Sequence, residues 1–240
     1  SIVSGSRSFF LDEESRSSRS LSLEFIGSSG VGKSTLFEVL TVERLKVLKF
    51  YKWKDVRRSF PGHDSLDGLV MYRALLDNKL VEYMKLNVAV DAKYRLLSYM
   101  YGVVLQDLQL QRCAVNTVLD EGLCHNFGRE LLSLAGVDRD AWLSLMRGRA
   151  VVNCACSPSE VIRRIHRRRK EGTPRDLQDG ISDEALLEQI REGGLVREEV
   201  LTLLEGMGVP ILRIDMEGEL QVGTTHFSVA SCRVLRSGRG

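Results

Sequence analysis

The 240-residue chain predicts a three-layer α/β/α domain built on a five-stranded parallel sheet, with a helical lid. Three observations carry that expectation. A short apolar run passes through a glycine-rich loop directly into a helix start. Further short apolar runs then alternate with segments of helical periodicity, the order that gives a parallel sheet with right-handed crossovers. Between the last two of these runs stands a helix crowded with arginine.

The first strand is expected at about Leu21–Ile26, from Leu21, Leu23, Phe25 and Ile26. Gly27, Ser28, Ser29, Gly30, Val31, Gly32, Lys33, Ser34 and Thr35 follow, and Gly27, Gly32, Lys33 and Ser34 meet the pattern G-x-x-x-x-G-K-[ST] in full. Glycines let the backbone curl so that successive N–H groups face a phosphate, and the partial positive charge of a helix N-terminus lies at the same place. Lys33 is expected to reach the β- and γ-phosphates of ATP, and the Ser34 hydroxyl to ligate Mg²⁺.

The helix after the loop is expected at about Lys33–Leu40 and a second strand at Leu45–Tyr51. Asp55 follows that strand, beside Arg57 and Arg58, and is a candidate general base; a surface loop of mixed charge is the competing reading. Ser59-Phe60-Pro61-Gly62 reads as a turn. From Ser65 to about Arg112 there is no proline, and apolar residues recur at helical spacing, including Tyr72, Leu75, Leu76, Tyr83, Tyr94, Met100, Val104 and Leu108. This block reads as two or more helices with a break near Asn87–Asp91, and as the region that binds the acceptor. Its tyrosines, Tyr72, Tyr83, Tyr94, Tyr99 and Tyr101, form an aromatic stripe at helical spacing that is more often core than pocket.

Val115–Leu119 reads as a buried parallel strand ending at Asp120-Glu121-Gly122. An acid at such a strand end holds Mg²⁺ in phosphate-loop proteins, so Asp120 is the second expected metal ligand; a helix cap is the alternative. Glu121 can orient a water or hydroxyl, or be a solvated neighbour. Helices are expected at Gly128–Gly136 and Asp140–Arg147, and a strand at Ala150–Cys156. Ser157-Pro158-Ser159-Glu160 starts the next helix, with Ser157 as cap, Pro158 at its first position and Glu160 closing a capping box. That helix, to about Lys170, carries Arg163, Arg164, Arg167, Arg168, Arg169 and Lys170. Arg164 and Arg168 lie four apart and can present two guanidinium forks to phosphate. A solvated basic face or a nucleic-acid patch is the alternative. After a break at Gly172-Thr173-Pro174, a helix is expected over Ser182–Gly206, with Gly193-Gly194 as a candidate split, then a strand at Ile211–Ile214 and a tail helix within Thr224–Leu235.

Composition narrows the class. The net charge is +2, so no overall basicity points to nucleic acid or a membrane surface. The five cysteines form no zinc spacing and read as reduced thiols of a cytoplasmic protein. Residues 1–20, rich in serine and without an apolar stretch, read as a flexible leader before a single domain over 21–240, in which 65–112 is the acceptor-binding region and 160–180 the lid.

Taken together, Gly27–Thr35, the strand ending in Asp120, the Ser157–Glu160 start of the Arg164/Arg168 helix and Gly208–Asp215 resemble the nucleoside and nucleotide kinases of the phosphate-loop class: thymidylate, deoxynucleoside and adenylate kinases. The resemblance runs from about Leu21 to Leu235. It implies a P-loop kinase-like fold and an ATP-dependent kinase acting with Mg²⁺ on a small-molecule acceptor, and it leaves a homodimer open. It also implies that Arg164 and Arg168 belong to a lid over the triphosphate, that Asp55 occupies the place of an acid, and that Asp215–Gly218 borders the adenine. One departure is plain: where many members follow the third-strand acid with arginine, this chain has Glu121. Two other classes stay in view. One is an ATPase or switch that uses Asp120-Glu121 to hydrolyse ATP, although the chain lacks L-S-G-G-Q and N-K-x-D motifs. The other is a nucleic-acid module built on the arginine helix.

Overall fold

The computed structural model describes residues 20–43, 50–52, 69–111, 113, 115–172, 181–217 and 234–235. In chain order these form β1 (Ser22–Ile26), α1 (Lys33–Glu43), β2 (Phe50–Lys52), α2 (Leu69–Met84), α3 (Val90–Leu110) and β3 (Asn116–Leu119). There follow α4 (Leu123–Asn126), α5 (Gly128–Val137), α6 (Arg139–Met146), β4 (Arg149–Ala155), α7 (Pro158–Lys170), α8 (Asp183–Gly206), β5 (Ile211–Asp215) and β6 (Val234–Leu235). The sheet order is β2-β3-β1-β4-β5-β6. The first five strands are parallel, as expected, and β6 adds an antiparallel edge.

The runs of β1, β3 and β4 become strands buried on both faces, which explains why they are near-continuous rather than alternating. Along β1, Leu23 and Phe25 face one way, with Val152 and Cys154 of β4, onto Leu36 and Phe37 of α1. Ile26 faces the other way, with Val151, onto Tyr72, Val104, Leu131, Trp142 and Leu201 from the helices of the opposite layer. A strand period of two thus feeds two cores, one on each side of the sheet. No helix among the described residues is long and apolar enough to cross a membrane.

Several expectations need correction. Val234 and Leu235 pair with β5 as a strand instead of ending a helix. The glycine pair 193–194 does not interrupt α8, whose other positions hold the helix through that tolerable local cost. The short α4 was not expected; it is formed because a buried carboxylate, Glu24, gathers its first N–H groups. Glu160 does not close a capping box. Ser157 Oγ accepts from the Glu160 N–H at 3.3 Å, but the Ser157 N–H donates to Glu217, while the Glu160 carboxylate takes Arg163 and Arg164. The helical block resolves into α2 and α3 with the break between Met84 and Val90. Of β2, Phe50–Lys52 is described; 44–49, the leader 1–19, Asp55 and the 173–180 part of the lid lie outside the described residues.

A polar cluster is sealed inside the second core. Arg149 Nη2 donates to Asp107 Oδ2 at 2.5 Å, Tyr72 Oη donates to the same oxygen at 2.5 Å, and Gln111 Nε2 donates to Tyr72 Oη at 2.7 Å. Arg149 Nε closes on Leu145 O at 2.9 Å. The pair ties α3 to the start of β4, and neither partner reaches water. Removing one member strands the other's charge, whereas an apolar replacement of both does not. Arg149→Met should therefore lower stability in urea unfolding by about 3–5 kcal/mol. The Asp107→Leu/Arg149→Met double variant should be clearly more stable than the single one. A double variant as unstable as Arg149→Met would show that the cluster is not an isolated buried charge pair.

Candidate functional site

At the carboxyl end of β1 the chain must turn sharply beneath β4. A side chain at Gly27 would place its Cβ 2.4 Å from the Cys154 carbonyl oxygen, so only glycine fits. Gly30, at φ +98°, is equally constrained: its Cβ would press on Val161 and Ile165 of α7 at 3.1–3.2 Å. The loop then enters α1, whose first closing bond runs from Leu36 N to Gly32 O at 3.0 Å.

Lys33 is folded back over this loop. Its Nζ donates to Gly27 O at 2.8 Å and Ser28 O at 3.3 Å and lies 3.3 Å from Glu121 Oε1. Burial lowers the lysine pKa, and the Glu121 carboxylate opposes that shift. Ser34 Oγ donates to Asp120 Oδ2 at 2.9 Å, joining the loop to the end of β3. The two positions expected to hold Mg²⁺ are thus brought into contact from segments 86 residues apart. Both are hard oxygen donors, the type this cation takes in ones and twos beside phosphate and water. No larger cluster of metal-ligating side chains exists among the described residues.

Glu121 is held from three sides. Lys33 and His125 approach Oε1, the latter at 3.4 Å, and Tyr99 Oη donates to Oε2 at 3.0 Å. His125 is pushed down to about 4, by burial first and by the Lys33 charge second. Thr35, in the first turn of α1, has an exposed side chain, and Ser29 lines a neighbouring cavity.

That cavity, of about 460 Å³, opens beside Gly27, Ser28 and Ser29. Its walls come from α2, from the α4–α5 corner and from α8. The α8 residue Arg197 projects from this wall and donates from Nη2 to Ser28 Oγ at 3.0 Å. Among the described residues no carboxylate lies within 4 Å of its guanidinium. Burial lowers its pKa, with Glu198 opposing. Arg129 also lines the cavity but is paired with Glu82 at 3.3 Å.

Arg164 is placed differently from the lid role that the resemblance implies. It is buried, and Nε, Nη1 and Nη2 donate to Glu160 Oε1, Val31 O and Met216 O, each at 2.6 Å. It braces the glycine loop from behind and ties it to the chain leaving β5. Arg168 lies half-buried one turn further along α7. Of the block's tyrosines, Tyr72 is core, Tyr94 and Tyr101 are exposed, and Tyr99 alone reaches the site.

Neither Arg197 nor His125 stands out in the sequence. Arg197 is one of several charged residues on a long helix, and His125 stands in a segment with no motif. No family model matches the chain, and no curated protein matches it.

The His125 environment has a pH consequence. A histidine whose folded pKa falls below its ordinary 6.5 contributes stability that is complete above that value and lost as pH falls towards 4. From this group the loss should reach roughly 3 kcal/mol. Ring NMR should show a neutral imidazole at pH 6, and His125→Asn should flatten this part of the stability profile. A ring that titrates near 6.5 would show that burial does not govern it.

Proposed function

We propose that the protein is an ATP-dependent phosphotransferase acting on a small molecule, of the kind typified by nucleoside and nucleotide kinases. The observation that carries this reading is the meeting of four groups at one sheet edge: the glycine loop, Lys33, the Ser34–Asp120 pair and Arg197. Strand order supports it, since β1 leads towards β3 and β2 while β4 leads towards β5, and ligands of such sheets bind at that divergence, beyond the strand ends.

In this reading the backbone N–H groups of Gly27–Thr35 cradle the phosphates of ATP. Lys33 shifts its ammonium from the Gly27 and Ser28 carbonyls to the β- and γ-phosphate oxygens. Ser34 and Asp120 hold Mg²⁺, which supplies charge neutralisation to the phosphates when bound. Arg197, already desolvated and next to Ser28, meets the charge on the transferring group from the cavity side. The Pγ bond to the β,γ-bridging oxygen breaks, a bond from Pγ to the acceptor oxygen forms, and ADP leaves. Most of the rate comes from placing these charges before the reaction starts. A walled cavity beside the loop favours transfer to an acceptor over bare hydrolysis. Free thiols at Cys113, Cys124, Cys154 and Cys156 support a cytoplasmic location.

Two variants test this reading. Lys33→Ala should reduce ATP affinity at least tenfold and abolish ADP formation, with an unchanged circular-dichroism spectrum; retained turnover would remove the central claim. Arg197→Ala should lower turnover by about 10²-fold or more while ATP affinity changes little. Equal losses in both would make Arg197 a binding group, and no loss would make it only part of the wall.

A further inference from the structure

We propose that the acceptor presents a hydroxyl group, not a phosphate, and that Glu121 is the residue that receives it. The inference rests on the phosphotransferase reading and deepens it.

Glu121 Oε1 lies 3.3 Å from the Lys33 ammonium, so the carboxylate stands within one contact of the group that marks where phosphate charge is gathered. Its side chain is 27% exposed, enough for an incoming atom to reach it. Its orientation is set from two separate helices. Tyr99 of α3 fixes Oε2 at 3.0 Å, and His125 of α4 approaches Oε1 at 3.4 Å. A carboxylate held in this way accepts hydrogen bonds and donates none. An acceptor phosphate brought against it would set anion against anion, beside a γ-phosphate that is itself anionic. An alcohol brings an O–H donor, which the carboxylate accepts. As the alcohol oxygen bonds to Pγ its proton passes to Glu121 and on to water, and ADP leaves with the electron pair of the broken bond from Pγ to the β,γ-bridging oxygen.

The Lys33 contact adds a sequence of events. Oε1 is engaged by the lysine ammonium. Phosphate oxygens that draw the ammonium away release Oε1 next to the γ-phosphate position, and a hydroxyl can then take over as its donor. Nucleotide binding thereby exposes the hydroxyl site. The rest of the acceptor is assigned to the neighbouring cavity, which is joined to Glu121 through His125, a residue that approaches Glu121 and also lines the cavity. Ile26, Val196 and Val200 supply apolar wall there and Asn126, Gln189 and Arg129 supply polar groups. The chemical class is a small polar alcohol. Water carries the same O–H donor, so slow hydrolysis of ATP should use the same residue.

The test measures ATP affinity by titration calorimetry and ADP formation at saturating ATP, in water, with added methanol and with added orthophosphate. The wild-type protein should release ADP slowly in water and form methyl phosphate when methanol is present. Glu121→Gln should lower both products at least tenfold, with ATP affinity unchanged within twofold or tighter, because the variant no longer competes for Lys33. Glu121→Ala should do the same. Turnover that survives both substitutions overturns the inference, as does pyrophosphate formed from orthophosphate. A parallel loss of ATP affinity also overturns it, since Glu121 would then only position Lys33. Wild-type protein that binds ATP yet yields ADP with neither water nor methanol counts against it equally. Wild-type protein that does not bind ATP removes the phosphotransferase reading itself, a result distinct from all of these.

Discussion

The site depends on a carboxylate placed inside a central strand. Glu24 is buried in β1, yet it accepts N–H bonds from Gly122 at 3.1 Å, Cys124 at 3.1 Å and His125 at 2.7 Å. Burial raises its pKa, and Arg149 together with the backbone donors opposes the shift. Hydrogen bonds to a charged group contribute about 1.5–3 kcal/mol each, which is the scale needed against the desolvation of one carboxylate. The result is a clamp between β1 and the segment leaving β3. Gly122 has to be glycine for it: a Cβ there would lie 2.8 Å from the Glu24 carboxyl carbon. Asp120 and Glu121 precede this clamp and His125 closes it, so the glycine loop and its acidic partners are registered through one buried side chain.

Two distinct electrostatic arrangements meet at that clamp. On the loop side, Lys33 is surrounded by acceptors, two carbonyls and Glu121. On the cavity side, Arg197 has a hydroxyl partner and no carboxylate within 4 Å among the described residues. A half-buried guanidinium without an anion is costly, and the cost is relieved by an anionic ligand. A lysine in contact with a carboxylate beside an arginine that has none within 4 Å among the described residues is a polarity that suits an anionic group between them.

What could be read from the sequence was what is written locally. The glycine loop is contiguous, so spacing alone identifies it. The strand ending in Asp120 is visible because an apolar run stops at an acid. Five parallel strands follow from the alternation of the runs. The rest depends on contacts between distant segments. Glu24 sits in a run dominated by Leu23, Phe25 and Ile26, and its partners lie 98–101 residues away. The pairing of Glu121 with Lys33 and the approach of Arg197 to Ser28 are tertiary facts of the same kind. At the other end, the two residues of β6 are too few to show a strand period, and only pairing with β5 defines them.

The arginine helix shows why residue type alone does not settle a role. Its pattern predicts forks aimed at phosphate, and Arg164 does reach the phosphate loop, but from the scaffold side. Glu160 decides this outcome. It binds Arg163 through two oxygens at 2.7 Å and Arg164 at 2.6 Å, and the Arg163 hydrogen bonds foremost pull its carboxyl down to about 2. With Nε anchored there, the remaining nitrogens of Arg164 are aligned on the Val31 and Met216 carbonyls. Glu217, next in the chain, takes the Ser157 N–H that Glu160 leaves unbound. Helix α7, the phosphate loop and the exit from β5 are therefore one hydrogen-bonded unit, and Gly30 lets Val161 and Ile165 close against it. Part of the helix's positive charge is spent internally on holding the loop's shape. The positive charge that faces the cavity without a carboxylate within 4 Å among the described residues comes instead from α8, through Arg197.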